Sequence, residues 1–168
     1  ALEHAKRLVF LLFSRISIYD YFRTRRAEVK NLDLFICAAC SPETGEHELA
    51  YRLLALVTER FFGLTALPEL AREGGGKPFF PARPDICFNL SHSRGAAVCA
   101  VHDRPVGIDM EKLRPAPKRL AKGMADEAFF RLWTAKEATV KRQGLGVSAL
   151  LRPMEPDPLC RCVEGLLE

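Results

Sequence analysis

Between residues 86 and 111 three short apolar runs are separated by two turn signals, and this stretch constrains the fold more than any other. Ile86–Ser91, Ala96–Val101 and Val106–Glu111 each have the length of a strand, and Ser93-Arg94-Gly95 and His102–Pro105 break them. Gaps this short leave no room for a crossover helix, so the spacing predicts an antiparallel meander. Upstream, Leu32–Cys40 reads as a further buried strand, ended by Ser41, Pro42 and Gly45. Two segments have helical periodicity instead. Leu49, Leu53, Val57 and Phe61 recur at every fourth position, with Gly63 as a C-cap. Phe129, Trp133 and Val140 share a face of a helix predicted over 126–142, which Gln143-Gly144-Leu145-Gly146 ends. Residues 73–84 are rich in Gly and Pro and predict a loop, and 112–123 is a basic stretch broken by prolines. Leu159–Val163 predicts a last strand.

A chain of 168 residues, 48% hydrophobic and 27% charged, can bury a core without disulfides or metals to staple it. That composition excludes a disordered or fibrous chain. No apolar run approaches the roughly 18–20 residues of a membrane helix, so no membrane partner is expected. Lys6 and Arg7 precede the short apolar run Leu8–Phe13, with Arg15 after it and no small-residue cleavage site. A basic amphipathic helix is expected there, and residues 1–30 are expected to form a helical extension. Cysteines 37, 40, 87, 99, 160 and 162 lie mostly inside apolar runs and read as small core residues rather than a zinc site. Thiols used this way imply a reducing, cytoplasmic compartment. The net charge of +4 favours an acidic partner or a phosphate-rich ligand without choosing between them.

Four short motifs carry chemistry. Asp109 and Glu111, two residues apart on a strand, place both carboxylates on one face, opposite Ile108 and Met110. Such a pair suits a hard cation such as Mg²⁺, or salt bridges to Lys112 and Arg114. Glu137 and Lys141 stand one helical turn apart, as a surface ion pair or as a base and a cation beside a phosphate. Gly76-Lys77-Pro78 closes a glycine run that reads as a phosphate-contacting loop or a flexible turn, without the full P-loop pattern. Phe88-Asn89-Leu90-Ser91-His92-Ser93 alternates apolar and polar residues, and its Ser-His edge can bind a phosphate or simply finish a turn.

Taken in order, G-K-P, F-N-L-S-H-S, G-I-D-M-E and W-T-A-K-E-A-T-V-K resemble the 4′-phosphopantetheinyl transferases, specifically the larger surfactin-synthetase-activating type. The resemblance runs from about residue 31 to about residue 150. It implies an α/β (α+β) fold of two pseudo-symmetric halves, 31–103 and 104–168, each a small, mostly antiparallel sheet packed with a helix. It also implies transfer of the phosphopantetheine arm of coenzyme A to a serine of an apo acyl or peptidyl carrier protein, with release of adenosine 3′,5′-bisphosphate. By the same resemblance Asp109, Glu111 and Glu137 are the Mg²⁺ carboxylates, and Glu137 and Lys141 are catalytic. Lys77, Pro78, Ser91, His92, Lys136 and, more loosely, Arg52 are contacts to coenzyme A. A monomer without a nucleic-acid partner is expected. The interval from Asp109 to Lys136 is shorter than the family's by about a helix and a loop. Two alternatives stay open: a Mg²⁺-dependent nuclease or phosphodiesterase using the same carboxylates, and a module that binds coenzyme A or a carrier protein without turnover.

Overall fold

The computed structural model describes residues 7–12, 34–41 and 43–163. Its elements are β1 (Arg7–Leu12), β2 (Phe35–Cys40), α1 (Glu46–Phe62), β3 (Ala71–Arg72), β4 (Pro78–Phe79), β5 (Cys87–Ser93), β6 (Ala96–His102), β7 (Ile108–Lys112), α2 (Lys118–Ala121), α3 (Asp126–Arg142) and β8 (Cys160–Val163). A 3-10 turn, Val147–Leu151, lies between α3 and β8.

The small apolar residues of β6 let it be covered on both faces, and all seven of its residues are buried. It is the centre of an antiparallel sheet ordered β2-β6-β5. Period two sends Ala97, Cys99 and Val101 to one face, where Leu49, Leu53, Leu54 and Val57 of α1 meet them with Phe80, Ile86 and Phe88. Ala96, Val98 and Ala100 point the other way, against Ile108 and Met110 of β7. Truncating a fully buried side chain such as Leu54 in such a core costs about 2–5 kcal/mol. The four-residue spacing of α1 therefore buries Leu49, Leu53 and Val57, while Phe61 in the last turn stays exposed, and Gly63 ends the helix in the left-handed region at φ 66°.

A second antiparallel sheet is ordered β7-β1-β8, with Phe10 opposite Asp109 and Leu11 opposite Arg161. Phe129, Phe130, Ala135 and Ala138 of α3 form its core together with Ala121 and the half-buried Leu113, Trp133, Cys160 and Cys162. The molecule is a mixed α/β fold built on antiparallel sheets.

Three expectations change. The meander stops after two strands: β5 and β6 pair through the Arg94-Gly95 turn, both residues at positive φ, but β7 leaves β6 and pairs with β1. A strand's partner depends on residues far away in the chain, and short gaps alone do not fix it. Residues 7–12 form a strand rather than a helix, because a short apolar run carries no periodicity that separates the two. That strand is the centre of the second sheet, so residues 7–12 belong spatially with residues beyond 104; the rest of the expected 1–30 extension lies outside the described residues. Finally, the 73–84 loop contains a turn closed between β3 and β4, with the Glu73 N–H donating to Lys77 O at 2.9 Å and the Gly76 N–H to Glu73 O at 2.8 Å.

None of the six cysteines forms a disulfide; Cys99 is buried, Cys40 exposed and the other four half-buried. Among the described residues no helix is long and apolar enough to cross a membrane.

Candidate functional site

β7 is an edge strand, and its outer N–H groups need acceptors that a neighbouring backbone would otherwise supply. Side chains of β5 supply them. The Ile108 N–H donates to Asn89 Oδ1 at 2.8 Å, the Met110 N–H to Ser91 Oγ at 3.3 Å and the Lys112 N–H to Ser93 Oγ at 3.5 Å. The two serines then donate their own protons to the carboxylates between those amides: Ser91 to Asp109 Oδ1 at 2.8 Å, Ser93 to Glu111 Oε2 at 3.0 Å. Period two on one strand thus meets period two on the other: all three rungs fix backbone, and the two serine rungs also fix a carboxylate.

α3 closes the site from the other side. Its close approach needs Gly107, because a Cβ there would overlap the Ala138 carbonyl and lie 2.6 Å from the Arg142 nitrogen. Glu137 and Lys141 consequently reach β7. Lys141 Nζ lies 2.5 Å from Asp109 Oδ1, 3.9 Å from Glu137 Oε2 and 3.2 Å from Ser91 Oγ. Asp109 is only 2% exposed, and its second oxygen, Oδ2, is buried without a hydrogen-bond donor. Burial first, and then the negative charge of Asp109, push the Glu137 carboxyl up to about 7, against the opposing pull of Lys141.

An open cleft of about 200 Å³ lies beside this group, lined by Gly76, Lys77, Pro78, Asn89, Glu137 and Lys141 among others. The structure therefore gathers Lys77, Pro78, Glu137 and Lys141 around one space, with Asp109 and Ser91 bonded to its lysine. Lys77 donates from Nζ to the Val106 carbonyl at 3.0 Å, and burial lowers its pKa. The glycines before it have a packing role. A Cβ on Gly75 would overlap the Gly144 carbonyl and lie 2.8 Å from the Gly146 nitrogen, so this turn lies backbone to backbone on the end of α3.

Other predicted residues lie elsewhere. His92 points away from the serines, is exposed, and has Nδ1 3.2 Å from Glu46 Oε2 at the start of α1. Arg52 pairs with Glu48 at 2.6 Å on the solvent side of α1. Lys136 is half-buried on α3 beside Glu137. Glu111 shares the Asp109 face and contributes to the raised Glu137 pKa, but its oxygens are engaged by Ser93 and, at 3.6 Å, by Arg114. Among the described residues no three His, Cys, Asp or Glu side chains converge as a ready-made metal cluster. Asn89 and Ser93 belong to the alternating motif read from the sequence but had no role assigned there; the period-two spacing Asn89-x-Ser91-x-Ser93 is the signal for the role they take.

The donor set nevertheless fits a hard divalent cation. Two neighbouring carboxylates, one with a buried oxygen that no donor reaches, are poorly neutralised by a single ammonium. All their donor atoms are oxygen, which suits Mg²⁺. A cation there would be held by Asp109 and Glu137, with Glu111 next along the strand.

No protein-family model matches the chain. Curated relatives do. It is 38% identical to the 4′-phosphopantetheinyl transferase of Bacillus subtilis over 89 aligned positions, covering 44% of this chain and 40% of that protein. It is 38% identical to the 4′-phosphopantetheinyl transferase HetI of Nostoc sp. over 115 positions, 52% of this chain and 48% of the relative. To the 4′-phosphopantetheinyl transferase AcpT of Salmonella typhi it is 35% identical over 100 positions, 48% and 52% of the two chains. The chain spans about half the length, or less, of the curated relatives it matches.

Proposed function

We propose that this chain carries the active site of a 4′-phosphopantetheinyl transferase, which moves the phosphopantetheine arm of coenzyme A to a serine of an apo acyl or peptidyl carrier protein. The relatives' shared activity supports the reading, and one observation carries it: Asp109, Glu137 and Lys141, distant in sequence, meet beside a cleft walled by Lys77 and Pro78. In the reaction the carrier serine oxygen bonds to the β-phosphorus of coenzyme A. The bond from that phosphorus to the bridging pyrophosphate oxygen breaks, and adenosine 3′,5′-bisphosphate leaves with the electron pair. Glu137, on the cleft wall beside Asp109 and Lys141, accepts the serine proton, directly or through one water. Lys141 offsets the charge growing on the leaving phosphate. Lys77 and Pro78 contact the adenine and its phosphates from the cleft wall, with Lys136 nearby. Ser91 acts chiefly through Asp109, since its hydroxyl is already donated there. His92 and Arg52 bind phosphate only on leaving Glu46 and Glu48. Mg²⁺, when bound by Asp109, Glu111 and Glu137, supplies positive charge to the pyrophosphate.

Two three-stranded sheets, each with a 17-residue helix, support a plan of two similar halves in one monomer. Lys112, Arg114, Lys118, Arg119 and Lys122 give a basic approach to an acidic carrier surface. The reaction is placed in the cytoplasm, with no nucleic acid or membrane taking part.

The test is to incubate the protein with coenzyme A, Mg²⁺ and an apo carrier protein and to weigh the carrier. A mass gain of one phosphopantetheine is expected. Coenzyme A bound without any gain would replace the transferase with a binding module.

A further inference from the structure

Ser93 is buried at the end of β5, one rung beyond the pair that holds Asp109. Its hydroxyl does two things at once: it donates to Glu111 Oε2 at 3.0 Å and accepts the Lys112 N–H at 3.5 Å. The backbone bond fixes where the hydroxyl sits, and the hydroxyl's proton fixes one oxygen of Glu111. Arg114 stands 3.6 Å from the other oxygen, Oε1, with its guanidinium 4.9 Å above the Phe130 ring. A half-buried glutamate on an edge strand would otherwise sample several rotamers, and each freezes at a cost when a ligand arrives. Hydrogen bonds to a carboxylate ligand from the surrounding shell orient it in advance.

We propose that Ser93 is a positioning residue that holds Glu111 on the face it shares with Asp109, ready to complete the oxygen donor set of a divalent cation. The inference rests on the cation-site reading of Asp109 and Glu137 and assigns a role to a residue that reading leaves out.

Mn²⁺ is the probe, with its binding to the whole chain followed by electron paramagnetic resonance and the melting temperature of each variant measured without cation. Ser93→Ala should weaken Mn²⁺ binding on the order of tenfold, while its melting temperature falls by only the few degrees that loss of the acceptor for the Lys112 N–H entails. Ser93→Thr, which keeps the hydroxyl, should restore most of the affinity. If Ser93→Ala does not fold, Ser93→Cys, a far weaker donor of similar size, makes the same comparison. Mn²⁺ bound as tightly or more tightly by Ser93→Ala overturns the proposal, as does a well-folded Ser93→Thr that fails to recover affinity. Asp109→Ala separates the two levels. Binding lost in Asp109→Ala but unchanged in Ser93→Ala removes Ser93 and leaves the cation site standing. Parent and Asp109→Ala binding equally well, or the parent not binding, removes both.

Discussion

One ammonium, that of Lys141, faces the carboxylates of Asp109 and Glu137, and the imbalance defines the chemistry of the site at the scale of single residues. Glu137→Gln keeps the shape of the side chain and removes its ability to take a proton. Transfer to a carrier protein should fall at least about 100-fold, read as carrier mass against time, with an unchanged circular dichroism spectrum. Retained activity would remove Glu137 from the mechanism. Cys160 gives a second prediction. Burial, and then Asp157, push its thiol up to about 12, so the fold favours the protonated form. Its contribution to stability is complete below the ordinary thiol pKa of about 9 and is lost as pH climbs from there towards 12. Since the thiolate is the reactive form, iodoacetamide at pH 8 should modify exposed Cys40 well before Cys160, as peptide mass mapping would reveal. Equal labelling would contradict the burial. Spacing showed that Asp109 and Glu111 share a strand face and that Glu137 and Lys141 stand one turn apart, while the roles expected of them came from the family resemblance. The commitments of His92 to Glu46 and of Ser93 to Glu111 were not legible in the chain, since each joins side chains far apart in sequence.

At the scale of elements, α1 and α3 could be read from apolar spacing because each helix buries a single stripe. β5 and β6 could be read because a two-residue turn forces neighbours to pair. β7 could be read as a strand but not placed, because its backbone partner is β1 on one side and a row of β5 side chains on the other. Gly107 is where this element meets α3. Gly107→Ala puts a methyl group into the Ala138 carbonyl, so strand and helix must separate. Overpacking of this kind costs about 1–3 kcal/mol. The separation falls between Asp109 and the Glu137–Lys141 pair, and transfer should therefore drop further than the melting temperature alone would suggest. A variant as active as the parent would mean that the spacing of β7 and α3 is not critical.

For the whole molecule, a cation gripped by both β7 and α3 would tie two elements together only in the folded state. Mg²⁺ at a hundredfold excess over its dissociation constant should stabilise the fold by about 2.7 kcal/mol, a rise in melting temperature of about 5–10 °C for a chain of this size. The rise should vanish in Asp109→Ala; a parent that melts at the same temperature with and without Mg²⁺ would argue against the site. Gly75 has a different consequence. Because its bare backbone rests on Gly144 and Gly146, the turn bearing Lys77 and Pro78 packs directly against the end of the helix bearing Glu137 and Lys141. The two walls of the cleft, the glycine turn and the end of the helix, therefore stand on one shared footing, so a shift of either bears directly on the other.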